Sequence, residues 1–384
     1  MKFARLSIAA LLLGSSAAAL AQPAPLAPDQ VFIAKESDGV AVTPLTGPEV
    51  RLQVYGDRII RVTRSPTRNL SLPPSFTVTA RPGSVPFTIV DSPGQVTVAT
   101  KFVRATVEFS EGKVTFTDAS GQVDLAESAP GTFAPVTVDG VPFYTIHQQF
   151  NRGTDEGLFG LGQHQNGQMN YNGEDVELAQ HNMDVAIPFL VSTRNYGLLW
   201  DNPSITRFGN PHPYSLVGGP NDPLKVTGAN GAPGWTATYT INGKPLATRQ
   251  EAMLDYQYLE TRGNWPAGAR KPDMSGTVDG LKVVWTGRVV PGIGGLHRFR
   301  LFSSGYAKLF INGEKVLDRW RQNWNAFYHN FGAELAAGKP VDIRVEWEPD
   351  SGYIALDHDA PLAEPDRHSI QFTSEAGKAI DYYY

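Results

Sequence analysis

From Val31 onward the chain is written in short runs of alternating apolar and polar residues, repeatedly interrupted by Gly, Pro, Asp and Ser. VRLQVYGDRIIRVTRSP is one such stretch and QVTVATKFVRATVEFSEGKVTFTDASGQVDL another. In the second, Val96, Val98, Val103, Val107, Phe109, Val114 and Phe116 recur largely at every second position, and Glu111-Gly112 supplies turn chemistry. A period of two sends successive side chains to opposite faces of a strand, so the pattern predicts antiparallel β-sandwich structure. LKVVWTGRVV, HRFRLFSSGYAKLFINGEKVLDRW and VDIRVEWEP continue it, with Ile311-Asn312-Gly313-Glu314 as a hairpin turn. One stretch competes. Thr248 and Glu251 have the spacing of a helix capping box, but the extended reading is preferred there.

Composition narrows the chemistry. The 384 residues include no cysteine, which excludes disulfides, thiolate catalysis and Cys-ligated metal, and leaves stability to core burial. A chain of this length holds two or three domains. Net charge is −5 with no basic block, which argues against nucleic acid and suits a neutral ligand. Residues 1–21 read as a signal peptide: Lys2 and Arg5 precede the apolar run Leu6 to Leu13, and Ala19-Leu20-Ala21 is a small-x-small cleavage site. A membrane anchor would need about 20 apolar residues, and Gly14, Ser15 and Ser16 interrupt the run. The expectation is an exported protein, periplasmic or secreted, with no membrane association after cleavage. Residues 22–30, with Pro23 to Pro28, form a linker.

Two clusters carry candidate binding chemistry. Gln163, His164 and Asn166 open a segment dense in groups that both donate and accept hydrogen bonds, as sugar hydroxyls do; a solvated loop has the same composition. Trp320, Trp324 and Tyr328 lie close in sequence to Asp318, Arg321 and Asn325, combining aromatic platforms with polar neighbours, although each Trp could equally be core. Asp155/Glu156, Glu174/Asp175 and Asp318 are the acidic groups nearest these clusters, and none forms a convincing catalytic pair. Asp357 and Asp359 are separated by His358, and the sequence does not nominate the six to eight oxygen ligands calcium takes. No metal and no cofactor are expected.

Specific motifs carry a family resemblance. Glu156, GLFGLGQHQNG, the QHN at 180–182, PFLVS at 188–192 and YGLLWDN at 196–202 resemble the N-terminal β-sandwich of family 31 glycoside hydrolases. Trp285-Thr286-Gly287, SGYAKLFINGEKVLDRW at 304–320 and Glu346-Trp347 resemble a protective-antigen-type β-sandwich. GWTATY, LDYQYL and DRWRQNWNAF look like the copy inserted into secreted bacterial α-xylosidases. HSIQFTSEAGKAIDYYY resembles the segment that returns to the first sandwich.

The resemblance implies an all-β, galactose-mutarotase-like supersandwich over 31–231, a carbohydrate-binding sandwich inserted over 232–360, and a return strand over 361–384. In the family, that strand leads to a (β/α)8 barrel bearing two catalytic aspartates; a barrel takes about 250 residues, and a retaining mechanism needs two carboxyl groups about 5 Å apart. No catalytic residue is therefore expected in this chain. Three functions follow: the non-catalytic front of an exported α-xylosidase or α-glucosidase that grips oligosaccharide, xyloglucan pieces among them, with the barrel in the same polypeptide; a stand-alone periplasmic glycan-binding protein; or, from the supersandwich shape, a sugar mutarotase using a carboxylate with His147, His164, His181 or His212.

Overall fold

A computed structural model describes residues 30–83, 85–153, 155–164, 167–180, 184–209, 214–256, 264–273, 275–319, 326–349, 352–361 and 369–384. The expected signal peptide and the Pro23–Pro28 linker lie outside them. The described residues contain strands and no α-helix, and none of their elements is a helix long and apolar enough to cross a membrane.

Two hydrophobic cores organise the strands. The first lies among three antiparallel sheets. The largest has eight strands, in the order Phe32–Glu36, Gly39–Thr43, Glu49–Gly56, Ile59–Ser65, Ile380–Tyr383, Gly197–Trp200, Val185–Ser192 and Leu158–Gln163. A second runs Thr132–Val138, Val141–Asn151, Ser369–Gly377, Thr206–Phe208, Val176–Leu178, and a third is a simple meander from Thr88–Ser92 to Val123–Ala126. The alternating runs of the sequence are visible as alternating burial: Val103–Glu108 buries Val103, Ala105 and Val107 and leaves Arg104, Thr106 and Glu108 partly exposed.

The chain returns to this core through two strands. Ser369–Gly377 pairs with Val141–Asn151 and Thr206–Phe208, and Ile380–Tyr383 is inserted between Ile59–Ser65 and Gly197–Trp200. Tyr382 and Tyr383 are consequently buried and are not an open edge. A buried carboxylate fastens the arrangement. Glu127 accepts from the Arg64 guanidinium, the Tyr382 hydroxyl at 2.7 Å and the Val114 amide at 2.6 Å, while Arg64 Nη2 also reaches the Gly112 carbonyl at 2.6 Å.

The second core lies between a six-stranded sheet (Lys244–Glu251, Trp235–Ile241, Leu281–Val289, Val341–Glu348, Tyr306–Ile311, Glu314–Arg319) and a four-stranded one (Ser215–Leu216, Ile354–Asp359, Gly295–Ser303, Phe327–Leu335). Lys244–Glu251 is a strand, so Thr248 and Glu251 do not cap a helix. Asn312 and Gly313 turn the Ile311/Glu314 hairpin with φ of 50° and 85°, the left-handed pair such a two-residue turn requires. Ser215–Leu216 pairs in the four-stranded sheet, and Val217, Leu224 and Val226 join the second core. The chain thus enters the second core before residue 232, where the sequence places the module's start; the Pro/Gly-rich wording of this segment hides three core side chains at wide spacing.

Candidate functional site

The four-stranded sheet has one face on the second core and the other toward the first module. Along Gly295–Ser303, Phe299 and Leu301 enter the core, whereas Arg298, Arg300 and Phe302 occupy the alternate positions. Antiparallel register sets Arg298 beside Asp359, Arg300 beside Asp357 and Asn330, and Phe302 beside Tyr328. Paired residues share a face. Aromatic rings, guanidinium groups, carboxyl groups and an amide therefore collect on one surface.

That surface meets the polar loop of the supersandwich. Arg298 donates to the Gly173 carbonyl and lies 3.2 Å from Glu174 Oε2, while Arg300 Nη2 is 3.8 Å from Asp175 Oδ2. Arg300 also donates to Asn330 Oδ1 at 3.3 Å, and its guanidinium lies 3.9 Å from the centroid of the Tyr214 ring and 5.0 Å from that of Tyr328. Tyr328 is 45% exposed, with its ring 4.9 Å from Phe302. Burial raises the Asp357 carboxyl to about 6, against the lowering effect of Arg300 and with a further push from Asp255. Burial likewise raises Glu174 despite Arg298. A carboxyl group titrating near 6 can donate or accept a hydrogen bond around neutrality, as a hydroxylated ligand requires.

The two clusters singled out in the sequence approach one another at this seam. A Cβ on Gly167 would lie 3.1 Å from Nη2 of Arg319, so the hairpin strand ending at Arg319 reaches the loop that begins after Gln163. Gln163 is exposed at the end of its strand, opposite Val185. One imidazole nitrogen of His164, Nε2, lies 2.8 Å from the Leu161 carbonyl. That bond spans a bulge in which Gly160, Leu161 and Gly162 all have positive φ, and a Cβ on Gly162 would stand 1.8 Å from the Val185 carbonyl. Asp318 lies on the exposed hairpin and pairs with Lys315. Asn166, Trp320, Arg321, Trp324 and Asn325 lie outside the described residues. The five described tryptophans, Trp200, Trp235, Trp265, Trp285 and Trp347, are all buried.

Other candidate groups serve the fold. Glu156 is buried and accepts from Tyr196 at 2.6 Å, the Gly153 amide at 2.8 Å and Ser192. Nδ1 of His147 faces the Thr373 hydroxyl at 2.9 Å, and among the described residues neither His147 nor His164 has a carboxylate partner. His181 and His212 lie outside the described residues. Among the described residues no group of three or more His, Asp or Glu could hold a metal ion. A cleft of about 470 Å³ opens on the outer face of the six-stranded sheet, but its polar groups are already engaged: Arg288 pairs with Asp342, and Arg344 covers the Phe310 ring at 3.7 Å. The residues missed in the sequence are Arg298, Arg300, Tyr214 and Asn330. Their only local signal is the charge at alternate positions of HRFRLF.

Comparison with known proteins agrees with this architecture. Residues 49–208 match the family described as the glycosyl hydrolase 31 N-terminal galactose mutarotase-like domain, and residues 231–360 match the PA14 domain. The GH31 α-xylosidase of Xanthomonas citri is 41% identical, with a TM-score of 0.77 over 91% of this chain and 38% of that enzyme. An α-xylosidase of Saccharolobus solfataricus is 39% identical over 71 residues, 16% of this chain and 10% of that protein. An uncharacterized family 31 glucosidase of Pseudescherichia vulneris is 40% identical over 62 residues, 16% of this chain and 12% of that protein. The chain thus spans well under half the length of these relatives. Its first module therefore matches the N-terminal galactose-mutarotase-like domain found in family 31 glycoside hydrolases and is similar to that of α-xylosidases, and the module set into it matches the PA14 domain.

Proposed function

We propose that this chain is the non-catalytic N-terminal region of an exported α-glycosidase, an α-xylosidase or α-glucosidase, which seats a catalytic barrel and helps hold an oligosaccharide substrate. One observation carries the reading. Phe159, Val185, Ile187, Phe189 and Val191 form a row on the outer face of the eight-stranded sheet, each between 39% and 50% exposed. The outer face of an antiparallel sheet is ordinarily polar, and a contiguous exposed apolar patch marks an interaction surface. The row adjoins the strand that ends at Gln163, so a barrel seated there would lie beside the polar loop and the seam with the PA14 domain.

The aromatic and hydrogen-bonding groups of the seam, Tyr328, Tyr214, Arg300, Asn330 and Asp357, suit a neutral sugar, whose C–H face packs on a ring while its hydroxyls find polar partners. Xyloglucan-derived oligosaccharides fit the α-xylosidase likeness. Export through the segment 1–21 belongs to the same reading.

The test is made on the native exported polypeptide. Its intact mass should greatly exceed 41.8 kDa, and Ile187→Asp/Phe189→Asp should lower α-glycosidase activity at least tenfold, while thermal unfolding of the β modules is little changed. Full activity in the double variant would remove the seating role. A native mass equal to residues 22–384 would leave glycan binding as the function.

A further inference from the structure

Three hydrogen bonds run in line through the base of the PA14 domain. Asp222 Oδ1 is 2.6 Å from His358 Nδ1, His358 Nε2 is 2.8 Å from His297 Nδ1, and His297 Nε2 is 2.9 Å from the Ile293 carbonyl oxygen. The imidazole rings lie edge to edge and nearly coplanar, with centroids 5.1 Å apart and planes at 17°. Asp222, His297 and His358 are each 1% exposed.

The row has an acceptor at each end, a carboxylate and a carbonyl. Each of its three bonds needs a hydrogen, whereas two neutral imidazoles bring only two. We infer that the Asp222–His358–His297 row stores one extra proton in the folded protein, and through it pins the segment entering the PA14 domain to the sheet that grips the supersandwich.

The donor sequence places that proton. His297 must donate to the Ile293 carbonyl, so its Nδ1 accepts from His358 Nε2–H. The third proton then lies between His358 and Asp222, and the row is neutral overall, as a site removed from water requires. Burial favours the neutral form of His297, partly opposed by the bond to Ile293 and by the field of Glu334 on the adjacent strand. The aromatic neighbour is Phe299, 5.1 Å from the His358 ring.

The row joins parts that are distant in sequence. Asp222 organises the entry segment by accepting from the Gly218 and Leu224 amides, both at 3.0 Å, and Lys225 Nζ closes on the carbonyls of Gly219 and Asp222. His297 precedes Arg298, which holds Gly173 and Glu174 of the first module. His358 lies between Asp357 and Asp359 on the same sheet.

The pH dependence follows from proton counting. Histidines of the unfolded chain titrate near about 6.5. Above that value the folded row holds one proton more than the unfolded chain, so stability falls as pH rises until the proton is lost. Below it the unfolded chain takes up two protons on the same histidines, while a second extra proton in the row would set N–H against N–H, so stability falls again. Stability of the PA14 domain should peak near the ordinary histidine value.

The test is thermal unfolding of the whole chain between pH 5 and 9, with Asp222→Asn beside it. In the unmodified chain the PA14 transition should drop by about 4 °C per pH unit on the alkaline side. The carboxamide introduced by Asp222→Asn can supply the third hydrogen itself, so the variant should melt lower at pH 7 yet lose the alkaline slope. A flat profile in the unmodified chain, or the same slope in the variant, overturns the inference. Should the variant not fold, ¹⁵N-histidine and ¹³C-carboxyl NMR of the unmodified chain decides. Two singly protonated imidazoles beside an ionised Asp222 at pH 7 would refute the stored proton, and an imidazolium or a protonated Asp222 would support it.

Discussion

The two modules are built alike and face outward differently. Each packs antiparallel sheets on an apolar core, and each buries a carboxylate that ties aromatic and arginine side chains together: Glu127 with Arg64 and Tyr382, and Glu251 with Arg249, Tyr239, Tyr256 and Trp285. On the outer face of the six-stranded sheet, charges alternate in pairs, Arg288 with Asp342, and Arg344 and Lys282 with Glu346. On the outer face of the eight-stranded sheet stand Phe159, Val185, Ile187, Phe189 and Val191. One face carries paired charges and the other a row of exposed apolar side chains. The difference teaches that the module's role is read from the side of the sheet that its own core does not use.

The largest expected effect lies in the hub of the first module. Glu127→Ala leaves the Arg64 guanidinium buried without its counter-charge, and breaking such a pair costs about 3–5 kcal/mol. Urea unfolding should show the first module losing most of its stability while the PA14 transition holds. Equal loss in both modules would mean that they unfold as one unit.

A smaller effect is expected at the seam. Because burial raises Asp357 to about 6, the folded protein holds that proton more tightly than the unfolded chain, and the associated stability is lost as pH rises through about 6. Asp357→Asn should therefore stabilise the protein at pH 7–8 by about 1–2 kcal/mol, allowing for partial solvent screening, and flatten the profile between about pH 4 and 6. The same variant should bind oligosaccharide more weakly if the carboxyl group faces the ligand, a point isothermal titration would settle.

The smallest effect should come from the solvated face. Asp342→Ala removes an exposed ion pair and should change stability by less than about 1 kcal/mol, with the residue falling in 1 M salt. A loss above about 2 kcal/mol would show that this face, too, is packed in the working protein.

Much of the fold was legible in the sequence because it is local. Period-two runs such as VRATVE fix which side chains enter the core, and Asn312-Gly313 fixes a hairpin, since only residues tolerant of positive φ make that turn. The candidate site was legible only in part. Tyr328 and Gln163 stand out by residue type, whereas the bond between His164 Nε2 and the Leu161 carbonyl is a contact that composition does not reveal.

The sequence by itself determined an all-β chain, its family likeness, and the insertion of one sandwich within another. The tertiary structure alone decided that Arg298 and Arg300 meet Glu174 and Asp175, and that Asp222 lines up with His358 and His297. It also decided that Tyr382 is core. The physical reason is range. Alternation and turn chemistry act between neighbours in the chain, whereas Arg298 and Glu174 are separated by 124 residues, and Tyr382 and Glu127 by 255. Contacts of that span exist only once strand pairing has set the register.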